Sequence, residues 1–325
     1  MLELYLWINI IKTLKFIAAH SVLLVALTSS FSNAAEQQDI GSIIANQSAD
    51  VVELDTSIKQ VGKGGKTKAV ENIEHDKKSE QVKTVAKTKS FDKAEAELVI
   101  LIDDMGHSLS LNQAALNLPG PVSFAFLPFA HFSQRLAKEA HERQKDVLLH
   151  APMQSIYNHA LGKGGMTESM NELTFKQTLR KNIAAIPNLI GVNNHMGSKL
   201  TSLSLQMQWT MQVVKEHDLF FVDSRTTGKS VAWQEAKKQG VSSLRRDIFL
   251  DHVISWQAMS FQYKKALAIA RKHGSALVIA HPHALTIKFL KDRLPHLNKE
   301  KVKLVSLSSQ LDSQFKSSSV VLNTQ

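Results

Sequence analysis

The sequence contains no cysteine in 325 residues, which excludes a disulfide framework and any thiolate metal site. A bound metal would have to sit on His, Asp, Glu, Asn or Gln. No apolar run is long enough to cross a membrane comfortably; "FIAAHSVLLVAL" has the length of a signal-peptide core. No internal repeat is visible. A complete phosphate loop is also missing. "GKGGKT" ends in Gly65-Lys66-Thr67, but the motif's first glycine would fall on Gln60, and no strand precedes it. The net charge of +10 resembles a nucleic-acid signal. Its lysines, however, crowd between Lys59 and Lys93, where no apolar period is sustained. We read them as a solvated linker and expect no nucleic-acid partner.

What is present divides into four segments. Residues 1–34 read as an export signal. Lys12 and Lys15 precede the apolar run, and Ser32 and Ala34 stand in a small-x-small cleavage pattern ending at Ala34. The extra "MLELYLWINII" ahead of the lysines fits a longer leader, a misassigned start or an uncleaved anchor. Either way the folded part is expected outside the cytoplasm, in a periplasm, with membrane contact only through that N-terminus. Residues 35–95 are polar, lysine-rich and poor in aromatics, the composition of a disordered linker. A folded domain is expected over 96–311 and a Ser-rich flexible tail over 312–325.

Within that domain short apolar runs alternate with longer amphipathic ones. The strand candidates are "ELVILID" (97–103), "VSFAFLP" (122–128), "DVLLHAP" (146–152), "LIGVNNH" (189–195), "LFFVDS" (219–224), "IFLDH" (248–252), "ALVIAHP" (276–282) and "VKLVSLS" (302–308). Helix candidates lie between them at 131–144, 174–186, 204–217 and 256–274. This repetition predicts an α/β fold with a parallel sheet, and the number of units fits a barrel better than an open sheet.

Each strand candidate stays apolar until its last residues, where a His, Asp or Asn appears. Asp103 and Asp104 end the first, His150 the third, and Asn193, Asn194 and His195 the fourth. Asp223, Ser224 and Arg225 end the fifth; Arg246, Asp247, Asp251 and His252 flank the sixth; His281 and His283 follow the seventh. A lone Asp in such a place is commonly a helix cap or turn former, and a lone His a hydrogen-bonded structural group. Repetition over five strand ends argues for more. In parallel α/β folds those ends share one rim, so imidazoles and carboxylates from distant positions should converge there as a metal site with an acid and a base.

The segments "LVILIDDMG", "FAFLPFA", "VLLHAPMQ", "GVNNHMGSKLT", "FFVDSRTT", "RRDIFLD" and "HGSALVIAHPH" resemble the successive motifs of the divergent polysaccharide deacetylases. That group is similar in turn to the larger class of polysaccharide deacetylases. The resemblance implies a distorted (β/α)7-8 barrel that removes N-acetyl groups from amino-sugar polymers with a divalent metal, Zn²⁺ first among candidates. It implies Asp103 as catalytic base, His281 as general acid, and Asp223 with Arg225 as orienting catalytic groups. Asp104 and His150 would ligate the metal. Gln154 departs from the pattern, because it stands where a second histidine is expected; His195 could supply that imidazole from the next strand. The implied partner is a glycan, such as peptidoglycan or a surface polysaccharide. A second reading is a non-catalytic envelope protein that uses the same groove to bind glycan or a protein.

Overall fold

The computed structural model describes residues 95–157 and 159–313. The expected signal, the linker up to residue 94 and the tail from 314 lie outside the described residues. The chain alternates β1 (Ala96–Met105), α1 (Leu109–Leu116), β2 (Ser123–Phe126), α2 (Ser133–Glu142), β3 (Val147–Met153), α3 (Glu172–Ala184), β4 (Gly191–Met196) and α4 (Ser204–Glu216). It continues with β5 (Phe220–Asp223), α5 (Ala232–Lys238), β6 (Ser243–Arg245), β7 (Ile248–Phe249), α6 (Trp256–His273), β8 (Ser275–Ala280), α7 (Ala284–Arg293) and β9 (Val302–Val305). Side chains mark several helix starts: Ser108, Asn171 and Ser255 accept from the backbone N–H three residues on. Among the described residues no helix is long and apolar enough to cross a membrane.

The strands pair in parallel in the order β6-β5-β4-β3-β2-β1-β8-β7, with β9 joining the start of β1. β6 and β7 are consecutive in the chain yet stand at opposite edges. Only Arg246 and Asp247 separate them. Arg246 N donates to Asp223 O beside β5 at 2.9 Å, and Asp247 N donates to Leu277 O of β8 at 2.9 Å. One short stretch therefore touches both edges, and the sheet must curl round on itself. The result is a distorted barrel, closed at this junction and unpaired below it.

Parity explains why the strands read as unbroken apolar runs. Successive strand residues face opposite sides. Leu98, Ile100 and Ile102 join the layer between sheet and helices, while Val99 and Leu101 join the barrel interior. The same alternation sets Phe221 outside and Val222 inside, and Val278 outside against Leu277 and Ile279 inside. Strands covered on both faces need apolar residues at every position.

Residues 307–313 are helical and plug the lower end of the barrel. Leu307 and Leu311 belong to the interior cluster. The plug thus extends two residues into the segment expected to be flexible tail. Asp146, just before β3, caps it: Ser308 N and Ser308 Oγ each donate to its carboxylate at 2.9 Å, and Ser123 Oγ donates at 3.2 Å. Asp146→Ala should destabilise the protein by about 1–3 kcal/mol, the cost of a lost cap and an orphaned hydroxyl. A lower urea midpoint would show it. An unchanged midpoint would mean that the plug contributes nothing to cooperative stability.

Candidate active site

Inward parity at the upper ends of the strands selects the site. Continuing Val99 and Leu101 brings Asp103 inward; Leu148 is followed by His150, and Leu277 and Ile279 by His281. On β4, Val192 faces outward, so Asn193 and His195 face inward. On β7, Phe249 faces inward and Asp251 follows it.

By parity Asp104 should point away. It does not, because its φ of +56° places it in the left-handed region, and the β1–β2 register shifts between Ile102 and Met105. This bulge turns the second carboxylate back to the side of the first. Gly106, with φ +124°, follows after Met105; a Cβ there would meet Ser133 Oγ at 2.0 Å. The adjacent acids then meet one imidazole. His150 Nε2 lies 3.1 Å from Asp104 Oδ1 and 3.8 Å from Asp103 Oδ2.

Asn193 sets the polarity of the cluster. An ionised carboxylate only accepts, so the Asn193 amide turns its NH₂ to Asp103 Oδ1 at 2.8 Å. Its Oδ1 is left facing His150 Nδ1 at 2.8 Å, which must therefore carry the proton. His150 Nε2 is then the nitrogen aimed at the hollow; burial opposes charge on the ring, but Asp103 and Asp104 raise its pKa, so a proton sits there that a cation would displace. His195 Nδ1 lies 3.1 Å from that nitrogen and 2.9 Å from Asp104 Oδ1. Asp104 Oδ1 is buried between the two imidazoles.

Three potential ligand atoms, two nitrogens and one carboxylate oxygen, thus lie 2.9–3.1 Å apart. Ligands about 2.0–2.2 Å from a divalent ion lie roughly 2.8–3.1 Å apart when they subtend right angles and about 3.3–3.6 Å apart when tetrahedral, so this spacing is at the near end of that range. The donor set therefore fits a metal. Gln154 is not part of it. Its Oε1 accepts from Glu168 N at 2.8 Å, which ties down the loop after β3, and His195 occupies the third position instead.

Opposite stands His281. Its Nδ1 lies 3.0 Å from Asp251 Oδ1, while Asp251 Oδ2 accepts from His281 N at 2.7 Å and Thr286 Oγ1 at 2.9 Å. The other ring nitrogen, Nε2, faces Asp104 Oδ2 at 4.0 Å. The His281 ring stacks on Phe249, with centroids 6.0 Å apart, and the Arg246 guanidinium lies 3.7 Å from the Phe249 centroid. Arg246 also donates to Ser224 O and Arg225 O, each at 2.6 Å, so it fastens the β5 loop to β7.

These surroundings separate the acidities. Burial raises the Asp103 carboxyl above the usual range even against the pull of His150. Burial would raise Asp104 too, but His150 and His195 hold it well below that range. Burial opposes charge on His281, yet the Asp251 carboxylate pushes its pKa up to about 9. The hollow therefore holds a basic carboxyl, a permanent anion and a protonated imidazole side by side.

Asp223 and Arg225 are not drawn into the cluster. Phe220 and Val222 face inward, so Asp223 faces out. Its oxygens accept from Arg225 N and Ser230 Oγ, each at 2.8 Å, the pattern of a turn former. The Arg225 residue is exposed. Among the described residues no hydrogen bond or ion pair joins either to Asp103 or Asp104. The groups that do support the site are Asn193, Ser224, Arg246 and Asp251. Ser224, Arg246 and Asp251 each continue an inward-facing apolar position, and Asn193 follows outward-facing Val192, a signal that counting in twos along the strands could have found.

Residues 100–311 match the pattern of the divergent polysaccharide deacetylases. The chain belongs to that family. An uncharacterized protein of Haemophilus influenzae is 39% identical over 222 residues, covering 68% of this chain and 78% of its own. The uncharacterized protein YibQ of Escherichia coli is 33% identical over 216 residues, covering 66% of this chain and 67% of its own. Among solved structures, the uncharacterized protein ATU2773 of Agrobacterium tumefaciens superposes with a TM-score of 0.64 at 19% identity, over 67% of this chain and 90% of that one. That likeness shows the fold of this divergent deacetylase family member.

The His281–Asp251 pair should be visible in the pH dependence of stability of chelator-treated protein. The folded pKa of about 9 lies above the ordinary 6.5, so between them the folded chain keeps a proton that the unfolded chain releases. The stabilisation is complete below pH 6.5 and lost as pH rises through about 9. Thermal melts over roughly pH 6–10 should show that decline, and His281→Gln should flatten it. A variant with the wild-type slope would assign the titration to another group.

Proposed function

We propose that this divergent polysaccharide deacetylase hydrolyses N-acetyl groups of an amino-sugar polysaccharide in the cell envelope, using a divalent metal, Zn²⁺ foremost. The observation that carries the reading is the convergence of Asp104 Oδ1, His150 Nε2 and His195 Nδ1 beside a raised carboxyl and a protonated imidazole. Family membership supports a glycan substrate, either peptidoglycan or a surface polysaccharide. The envelope location rests on the export pattern of residues 1–34.

Asp104, His150 and His195 would hold the ion. Bound there, a divalent cation supplies a water of lowered pKa and a polarised acetamide carbonyl. Asp103 acts as general base. Its Oδ1 is already held by Asn193, so Oδ2 is the atom that takes the proton from water as oxygen joins the carbonyl carbon. His281 acts as general acid. Its Nε2 gives a proton to the amide nitrogen as the C–N bond breaks, and the products are acetate and a free amine. An amide nitrogen leaves poorly unprotonated, so the acid must be charged beforehand, and Asp251 keeps it so. Asn193 acts as a positioning residue, since it fixes the His150 tautomer and orients Asp103 together.

Elemental analysis of purified protein should find about one divalent ion per chain, lost in His150→Ala and in His195→Ala. Asp103→Asn should retain the ion and lower acetate release from N-acetylated amino-sugar oligomers by at least ~10²-fold. A folded, metal-free wild-type protein that releases no acetate would instead favour a glycan- or protein-binding role for the same groove. Undiminished acetate release by Asp103→Asn would remove Asp103 as base.

A further inference from the structure

The barrel wall is open at one place. Among the described residues β6 pairs only with β5, and β7 only with Val278 and Ile279 of β8. Below the Arg246–Asp247 junction, among the described residues, no ladder joins β6 to the first residues of β8. A cavity of about 530 Å³ occupies that gap. Its lining mixes the two sides of the wall: Leu244 and Leu277 face the barrel interior, whereas Ala276 belongs to the outer layer. It is distant from the catalytic rim, since Ala276 precedes His281 by roughly 16 Å of extended strand.

Two independent features of this gap call for a ligand. Inside, two polar oxygens are buried with no hydrogen-bond partner: Ser243 Oγ of β6 and Gln310 Oε1 of the plug. Gln310 is only 6% exposed. An unpaired buried oxygen is costly, so such atoms normally have a partner. At the mouth, Lys237 and Arg245 lie against Trp233, with Nζ 3.8 Å and the guanidinium 4.7 Å from ring centroids. Neither cation forms an ion pair among the described residues, and exposed His273 stands beside them. The lining's one acid, Asp247, has its Oδ2 occupied by Leu277 N at 2.8 Å.

We propose that this breach is a second ligand site, separate from the catalytic hollow, that takes a hydroxylated organic anion of sugar size. Lys237 and Arg245 receive the carboxylate. Hydroxyl groups donate to Gln310 Oε1 and to Ser243 Oγ once these side chains, inaccessible to solvent as they stand, turn toward the cavity. The apolar walls at Leu244 and Leu277 take the C–H face of the ring. The volume suits a small ligand held in a formed pocket. The anion can be a free acidic sugar or an acidic unit within a polymer, and these sources differ in how affinity depends on length.

The test is calorimetric titration of the purified full chain with glucuronate, alongside glucose and inorganic phosphate. Glucuronate should bind saturably at low millimolar concentration or below, and the two controls at least about tenfold more weakly, since each lacks half of the chemistry. The double variant Lys237→Gln/Arg245→Gln should lose at least about tenfold in affinity. Gln310→Leu should also weaken binding, while its melting temperature stays equal or rises because an unpaired oxygen has been removed. Chelator treatment should leave glucuronate binding unchanged. Tighter binding of a uronic-acid oligomer than of glucuronate would identify a polymer; equal affinities would identify a free acid. The proposal is overturned if no saturable heat appears up to about 20 mM, or if glucose or phosphate binds equally well. Full affinity in both variants, or loss of binding with the chelator, would also overturn it.

Discussion

Two carboxylates from adjacent residues, taken out of water at the end of a buried strand, cannot both remain charged without compensating positive groups. The fold answers this constraint with imidazoles. His150 stands within 3.8 Å of both acids, and His195 and His281 complete the enclosure of Asp104. Removing any one would leave a desolvated charge unmatched, which is among the more costly events in a protein interior. The left-handed turn at Asp104 and the bulge on β1 follow from the same requirement. Ordinary pleating would have separated the pair and left no common point for a cation to occupy.

Around that core, most supporting contacts fix direction rather than add charge. Asn193 joins Asp103 to His150, Asp251 grips both the backbone and ring of His281, and Arg246 ties the β5 loop to Phe249 beneath that ring. The contributors come from β1, β3 and β4 or from the residues immediately following β5, β6, β7 and β8. The rim is therefore about as exact as the sheet that carries it. That arrangement suits a site whose donor atoms must hold to fractions of an ångström.

Much of this was readable from residue order alone. All eight expected strands are present, because runs covered on both faces stay apolar throughout. β6 escaped notice since three residues, "SLR", carry just one inward apolar side chain. The short helices α1, α5 and α7 give too few turns to show a period. Within the site, Asp103, His150, His195 and His281 were legible as polar groups ending apolar strands. What was not legible was which neighbour faces inward. Asp223 and Arg225 look as reactive on paper as Arg246 and Asp251, but one step along a strand reverses the side. Asp104 breaks that rule through a backbone angle that no composition announces.

The placement of β1 has a kinetic consequence. It is the first strand of the domain and the centre of the sheet, flanked by β2 on one side and by β8 on the other, with Ala96 paired to Val302 of β9. A nascent chain cannot complete its middle strand until nearly its last residues have been made. Contacts of such long sequence separation slow folding, because loop closure must precede any reward. The chain thus has reason to stay open through synthesis and to snap together late, with Asp103 and Asp104 hydrated until His281 arrives.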